Sequence, residues 1–252
     1  FFYRVDDRLF LVTARHNFSG KHWENGKFLN KNYSAAPTHV AVGFRSQSPT
    51  KFNSTGWTVP VQQYLLNLID VAWQPVWLEH PRFSTSIDIA ALEFTQPQEQ
   101  GDVILDAWDE APAASDPRSK LWVSQDISVV GFPYGLRGSF DLPIWIGGTI
   151  ASEPALLHEY RGKQYPLFLV SAATRSGQSG SPVLTVRQPG CATIEDGAVR
   201  AGIGPRWDLV GVYTGRVPED YDVKEGSAFG AELPPEAPTK PQIDYGEEIP
   251  EV

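Results

Sequence analysis

The sequence predicts an all-β fold. Three observations carry this. Tryptophan and proline are abundant, at 8 and 21 residues, and no long Leu/Glu/Lys/Ala pattern of helical period runs through the chain. Short apolar, β-prone runs follow one another with turn signals between them, the pattern of small barrels and sandwiches. The length of 252 residues is long for one ordinary domain but within the range of double-barrel folds, and a hydrophobic share of 41% suffices for a sizeable core.

Taken in order, Phe1 to Val5, Asp6-Asp7 and Arg8 to Ala14 read as a β-hairpin whose return strand runs into His16. Residues 17–37 are polar, with Gly20 and Asn25-Gly26, and form a long loop. Strands are expected over 38–46, within 57–68, over 74–80 and through Phe94. Residues 1–100 thus make the first barrel. Residues 101–120, rich in Pro, Asp and Ala, are the crossover, and Leu105 to Trp108 is a short strand or turn there. Residues 121–233 make the second barrel, with strands over 126–132, 143–152, 164–172, 182–186, 209–213 and 227–233. Residues 234–252 are an acidic, proline-rich tail or linker. No internal repeat is visible.

One stretch concentrates the chemistry. Ser171 to Leu184, SAATRSGQSGSPVL, is strand, glycine turn, strand. A serine held as in Gly177-Gln178-Ser179-Gly180 stands on a sharp turn, and the N–H groups of Gly177 and Ser179 converge on one small concavity, as donors for a developing oxyanion do. A Gly/Ser hairpin turn explains the same residues equally well, so the partners must decide. A serine hydroxyl needs a general base, and the base needs an orienting group. Of the five histidines, His16 ends a strand. Among the acids, Asp88 lies between apolar residues in SIDIAALEF, where a carboxylate needs a hydrogen-bonding or charged partner.

The order His16, Asp88, Ser179 is informative, because the same three groups occur on unrelated folds in other chain orders. LVTARHN resembles the TAxH histidine motif of trypsin-like serine peptidases, DIAAL their DIAL aspartate motif, and GQSGSPV their GxSGxP serine motif. VVGFPYG over 129–135 resembles the GYPxG segment of bacterial members of the HtrA and glutamyl-endopeptidase type. The resemblance spans about residues 1–233. It implies a chymotrypsin-like fold of two six-stranded antiparallel Greek-key β-barrels with the active-site cleft between them, a peptidase activity on polypeptides, His16, Asp88 and Ser179 as catalytic residues, and Gly177 and Ser179 as oxyanion donors. No cofactor is implied.

Two residues depart from the family pattern. Digestive trypsins carry an Asp where this chain has Gln178, so activation through a newly cut N-terminal amine is not expected. Arg15 stands where many relatives have Ala, at the edge of the cleft. The resemblance also outlines a specificity pocket of Ala173, Thr174, Tyr213, Thr214, Gly215 and Arg216. Ala173, six before Ser179, replaces the trypsin Asp, so cleavage after Lys or Arg is not expected. Thr174 matches the glutamyl endopeptidases, but Val212 stands where their His should be, which leaves a small or medium apolar side chain as the expected preference, with Arg216 at the rim able to attract an acid.

Composition narrows the partners. A net charge of −9 disfavours nucleic acid and anionic membranes. From Glu232 onward six acids face one lysine, so much of that charge is terminal. No apolar run reaches the roughly 18 residues of a membrane span. No His/Cys/carboxylate cluster has metal-ligand spacing. The single cysteine, Cys191, excludes an internal disulfide, suits a cytoplasmic location and reads as structural. Phe1 looks like mid-strand and the sequence holds no Met, so further upstream residues are expected. Three Asn-X-Ser/Thr matches, at Asn17, Asn32 and Asn53, are taken as chance.

Two functional classes remain open on the sequence: an active endopeptidase, which the complete His/Asp/Ser set favours, and a protease-fold binding module without activity. The endopeptidase further reads as one domain of a larger protein, with a regulatory domain or partner selecting between two states of the permissive Ser176–Gly177 peptide.

Overall fold

A computed structural model describes residues 1–30, 32, 34–45, 51–53, 56–58, 61–95, 107–109, 121–160, 162–187, 192–195, 198–201 and 206–216. Cys191, the last expected strand at 227–233, the 234–252 segment and most of the crossover lie outside these residues.

The chain is all-β, with eighteen strands, one α-helix of five residues and three 3-10 helices of three residues each among those described. The strands of the first half are β1 (Phe2–Val5), β2 (Arg8–Thr13), β3 (His39–Arg45), β4 (Lys51–Asn53), β5 (Gly56–Thr58), β6 (Val61–Asn67), β7 (Leu78–Glu79), β8 (Ala90–Phe94) and β9 (Ala107–Asp109), with α1 (Arg15–Ser19) after β2. Those of the second are β10 (Asp126–Gly131), β11 (Ile144–Ile150), β12 (His158–Tyr160), β13 (Lys163–Tyr165), β14 (Val170–Ala172), β15 (Ser181–Arg187), β16 (Ala192–Glu195), β17 (Ala198–Ala201) and β18 (Arg206–Tyr213).

Two five-stranded sheets form the frame, ordered β7-β8-β2-β1-β9 and β14-β11-β10-β15-β18. Each has five strands among the described residues where six were expected. The β3–β6 ladder is separate in hydrogen bonding but packs on the first sheet: Phe44 joins Phe2 and Phe94 in a ring cluster with centroids 5.2–5.5 Å apart. Leu11, Phe18, Leu68 and Leu92 complete that core. A second core gathers Ile127, Val129, Ile150, Val183 and Tyr213. Two separate apolar cores are what two packed halves require. The second sheet is strongly curled, because Trp145 of β11 meets Trp207 of β18 at 4.8 Å between ring centroids, although β10 and β15 lie between their strands.

Local chemistry explains the strand breaks. Asp6 takes the left-handed conformation (φ 50°) in the two-residue turn joining β1 to β2. The strand expected over 164–172 is split, since Pro166 has no N–H for a ladder and Leu167 N–H turns back to the Tyr165 carbonyl at 2.9 Å. Residues before the break pair with β12, and those after it with β11. Of the stretch Leu105 to Trp108, expected as a short strand or turn, Ala107 and Trp108 fall in β9, which runs parallel to β1, and the first two residues lie outside those described. The loop 17–37 docks on the β12–β13 hairpin of the other half. Trp23 stacks near Tyr160 and edge-on to Tyr165, and the Tyr160 hydroxyl donates to Glu24 at 2.6 Å. No helix among the described residues is long and apolar enough to cross a membrane.

Candidate active site

Strand pairing brings the histidine and aspartate segments together. β2 and β8 are antiparallel, with Thr13 opposite Ala90. His16 lies just past the end of β2 and Asp88 just before the start of β8, so both emerge at the same end of two neighbouring strands. There the chain turns into α1, whose first N–H groups have no intrahelical partner. Ala14 at the N-cap offers no side-chain acceptor. Asp88 supplies what is missing. Its carbonyl accepts the Arg15 N–H at 3.2 Å and its Oδ1 accepts the His16 N–H at 2.9 Å. Its Oδ2 lies 2.6 Å from His16 Nδ1. A carboxylate has no proton to give, so the Nδ1 proton is the donor, and in the neutral ring Nε2 is the nitrogen left with the lone pair. Asp88 is buried, and these bonds compensate its desolvation.

Arg15 does not reach into the cleft. It turns back and pairs through Nε with Glu79 of β7 at 2.7 Å. Glu79 also accepts from the Trp77 indole at 3.3 Å and the Ser84 hydroxyl at 3.1 Å. Burial alone would raise the Glu79 pKa. The Arg15, Trp77 and Ser84 hydrogen bonds, with the Arg15 charge, outweigh burial and hold it below the usual carboxylate range.

The serine turn is shaped by three contacts. The Gln178 N–H reaches back to the Arg175 carbonyl at 3.4 Å, closing a four-residue turn with Gly177 in its third position at φ 91°, the type II pattern. The Tyr134 N–H donates to the Ser176 carbonyl at 2.6 Å. In a trans peptide the N–H opposes the carbonyl, so the Gly177 N–H faces away from Tyr134. Gln178 is fully buried where trypsins bury Asp, and its Oε1 accepts the Arg175 N–H at 2.7 Å. Among the described residues, neither the Gly177 nor the Ser179 N–H has a hydrogen-bond partner within the chain.

The turn carrying Ser179 packs on the segment carrying His16. Gly180 sits at φ 90°; a Cβ there would overlap Thr13 Oγ1 and lie 2.7 Å from the Ala14 nitrogen. Asn17 Nδ2 lies 2.9 Å from both the Ser179 carbonyl and Thr13 Oγ1. Thus His16 and Asp88 are in direct contact, while no hydrogen bond joins Ser179 Oγ to His16 Nε2 and the two segments are tied through their neighbours.

The residues outlined as a specificity pocket divide. The Thr174 and Tyr213 hydroxyls are both buried and lie 2.7 Å apart. The register that sets Tyr213 opposite Ser181 makes Tyr213, and not Val212, the residue that reaches Thr174. Burial pushes the Tyr213 phenol above its usual pKa, against the smaller opposing pulls of the Thr174 hydroxyl and the Arg216 charge. Thr214 is half-buried, whereas Ala173, Gly215 and Arg216 are exposed. Arg175 lays its guanidinium on the Ala173 and Thr174 carbonyls, 2.9 Å from each. Sequence reasoning missed Arg175, Tyr134 and Asn17; Tyr134 acts here through its backbone N–H, for which residue type is a weak signal, and the other two place side-chain donors on backbone carbonyls. Among the described residues, no group of three His, Cys, Asp or Glu side chains is placed to hold a metal ion.

The family model for the trypsin-like peptidase domain matches residues 1–189. The chain therefore belongs to the trypsin-like peptidase domain family, a serine-protease class of hydrolase acting on polypeptides. No curated protein sequence matches it significantly.

Proposed function

We propose that the chain is an active serine endopeptidase. Ser179 attacks the scissile carbonyl, His16 Nε2 takes its proton and returns it to the leaving amine, and an acyl-enzyme forms that water then hydrolyses by the same route. Asp88 fixes the imidazole tautomer and stabilises the imidazolium. The Gly177 and Ser179 N–H groups receive the oxyanion. The observation that carries this reading is the 2.6 Å contact between His16 Nδ1 and a buried Asp88, on a segment packed against the serine turn.

Ala173, Thr174, Tyr213, Thr214, Gly215 and Arg216 line the pocket for the side chain preceding the cut. Lys and Arg are disfavoured there, because Ala173 offers no charge and Arg175 places a cation on the same backbone. The peptidase works as one domain of a larger regulated protein, a reading supported by the acidic, proline-rich 234–252 segment.

The test is reaction with a fluorophosphonate probe, followed by mapping of the labelled residue. Label on Ser179, and loss of label and of peptide hydrolysis by about 10⁴-fold or more in Ser179→Ala, is the expected result. Full turnover by that variant, or label on another residue, overturns the assignment.

A further inference from the structure

Asn17 follows His16 in α1 and makes two bonds with one group. Its Nδ2 carries two hydrogens. One goes to Thr13 Oγ1 at the end of β2, and the other to the main-chain carbonyl of Ser179 in the opposite half of the molecule, each at 2.9 Å. A carbonyl only accepts, so the amide orientation is set by its partner. The neighbouring Gly180 is in contact with Thr13 and Ala14, with no space for a side chain. The seam between the two halves thus runs through Thr13, Ala14 and Asn17 on one side and Ser179 and Gly180 on the other.

We propose that Asn17 is a positioning residue: it holds the Ser179 backbone against the helix that carries His16, and so sets the approach of the Ser179 hydroxyl to the imidazole. This rests on the peptidase reading above. Three points lead to it. His16 and Ser179 make no hydrogen bond of their own, so their separation is fixed by neighbouring contacts. Asn17 is exposed, so its bonds contribute little to global stability. Geometry is more sensitive, because a misplacement of about 1 Å between reacting groups costs roughly 10²-fold in rate.

The same contacts bear on the Asn17-Phe18-Ser19 sequence match. A glycan would take one of the two Nδ2 hydrogens and so one of the two bonds. Phe18 and Ser19 are moreover buried. With both bonds required by the proposed role, the active form carries Asn17 unmodified.

Asn17→Asp is the sharpest variant, since it keeps the shape and replaces both donors with an acceptor that repels the Ser179 carbonyl. Asn17→Ala removes the group altogether. Peptide hydrolysis and fluorophosphonate labelling are measured on the full chain, with thermal melting and amide hydrogen exchange alongside. The expected result is a fall of about 10- to 100-fold in kcat and in labelling rate, with KM unchanged, melting nearly unchanged and faster exchange at Gly180. Unchanged kcat and labelling in both variants overturns the inference. A rise in KM alone, or a melting loss that accounts for the fall in rate, overturns it equally, because the role is then structural. A wild-type chain that never labels at Ser179 instead defeats the peptidase reading, and the exchange at Gly180 then still tests the contact.

Discussion

The Tyr134 N–H donates to the Ser176 carbonyl across 2.6 Å, and this bond decides which way the next N–H faces. The sequence suggested a turn free to flip, since glycine fixes its own peptide poorly. The contact from the 129–135 segment instead holds the carbonyl half of that peptide, and Gly177 takes the positive φ that leaves its N–H on the other side. A flip would forfeit the Tyr134 bond.

Gly177→Ala is expected to damage this arrangement. The substitution places a methyl group in the left-handed region, where L-residues are strained, and only 2.8 Å from the Phe132 carbonyl. Loss of one oxyanion donor costs about 10²–10³ in kcat. Steady-state kinetics should show that fall with little change in KM. Wild-type rates would separate the Gly177 N–H from the chemistry.

The Thr174–Tyr213 pair is predicted to support stability and the pocket together. Both hydroxyls are buried and 2.7 Å apart. Removing either leaves the other without its partner, at a cost of roughly 1–3 kcal/mol. Removing both with Thr174→Val and Tyr213→Phe costs less than the sum. Denaturant unfolding of the two single variants and the double variant measures the coupling. Strict additivity would mean that the contact contributes nothing.

The sequence made the His16, Asp88 and Ser179 segments legible because each adjoins a short apolar strand, but the pairing of β2 with β8 that brings the first two together is visible only in the structure. What else the sequence could not show depends on backbone atoms. The Tyr134–Ser176 bond, the seat of Arg175 on two carbonyls and the Asn17 bridge to Ser179 all use carbonyls or amides that every residue type carries. The position of Tyr213 against Thr174 was hidden for a different reason. It depends on strand register, and a one-residue shift exchanges the side chains on the two faces. The helix α1 is too short to leave a periodic signal, and its N-terminus is capped by an aspartate far away in sequence.

Glu79 makes acid stability a readout of the segment before His16. Its folded pKa lies below the unfolded value because the bonds from Arg15, Trp77 and Ser84 outweigh its burial. A depressed carboxylate contributes stability that is fully present above the unfolded pKa, about 4.3, and is lost as pH falls through the folded value. Glu79→Gln should therefore melt earlier than wild type near neutral pH, and the difference should shrink below about pH 4. A gap that stays constant down to pH 2 would show that the ion pair is not its source.

Asp88 joins fold and chemistry in one side chain, so two substitutions should separate them. Its Oδ1 accepts the His16 N–H, its Oδ2 takes the imidazole, and its carbonyl holds Arg15. The main-chain bond survives any substitution. Asp88→Asn keeps one side-chain oxygen, which remains on the His16 N–H because a donor must face an acceptor. The amide NH₂ then faces Nδ1 and can only donate. Nδ1 becomes the acceptor, the ring proton moves to Nε2, and no lone pair is left there for the serine proton. A wrong tautomer of this kind lowers kcat by about 10⁴-fold while the fold is kept. Asp88→Ala removes both side-chain oxygens, leaving the His16 N–H and the Nδ1 proton without acceptors at a partly buried helix start. It should lose activity to a similar degree and in addition destabilise the chain by about 2 kcal/mol or more. Kinetics and thermal melting of the two variants, measured side by side, give the comparison. Equal melting temperatures would deny Asp88 its capping role, and an Asn variant with substantial activity would deny it control of the tautomer.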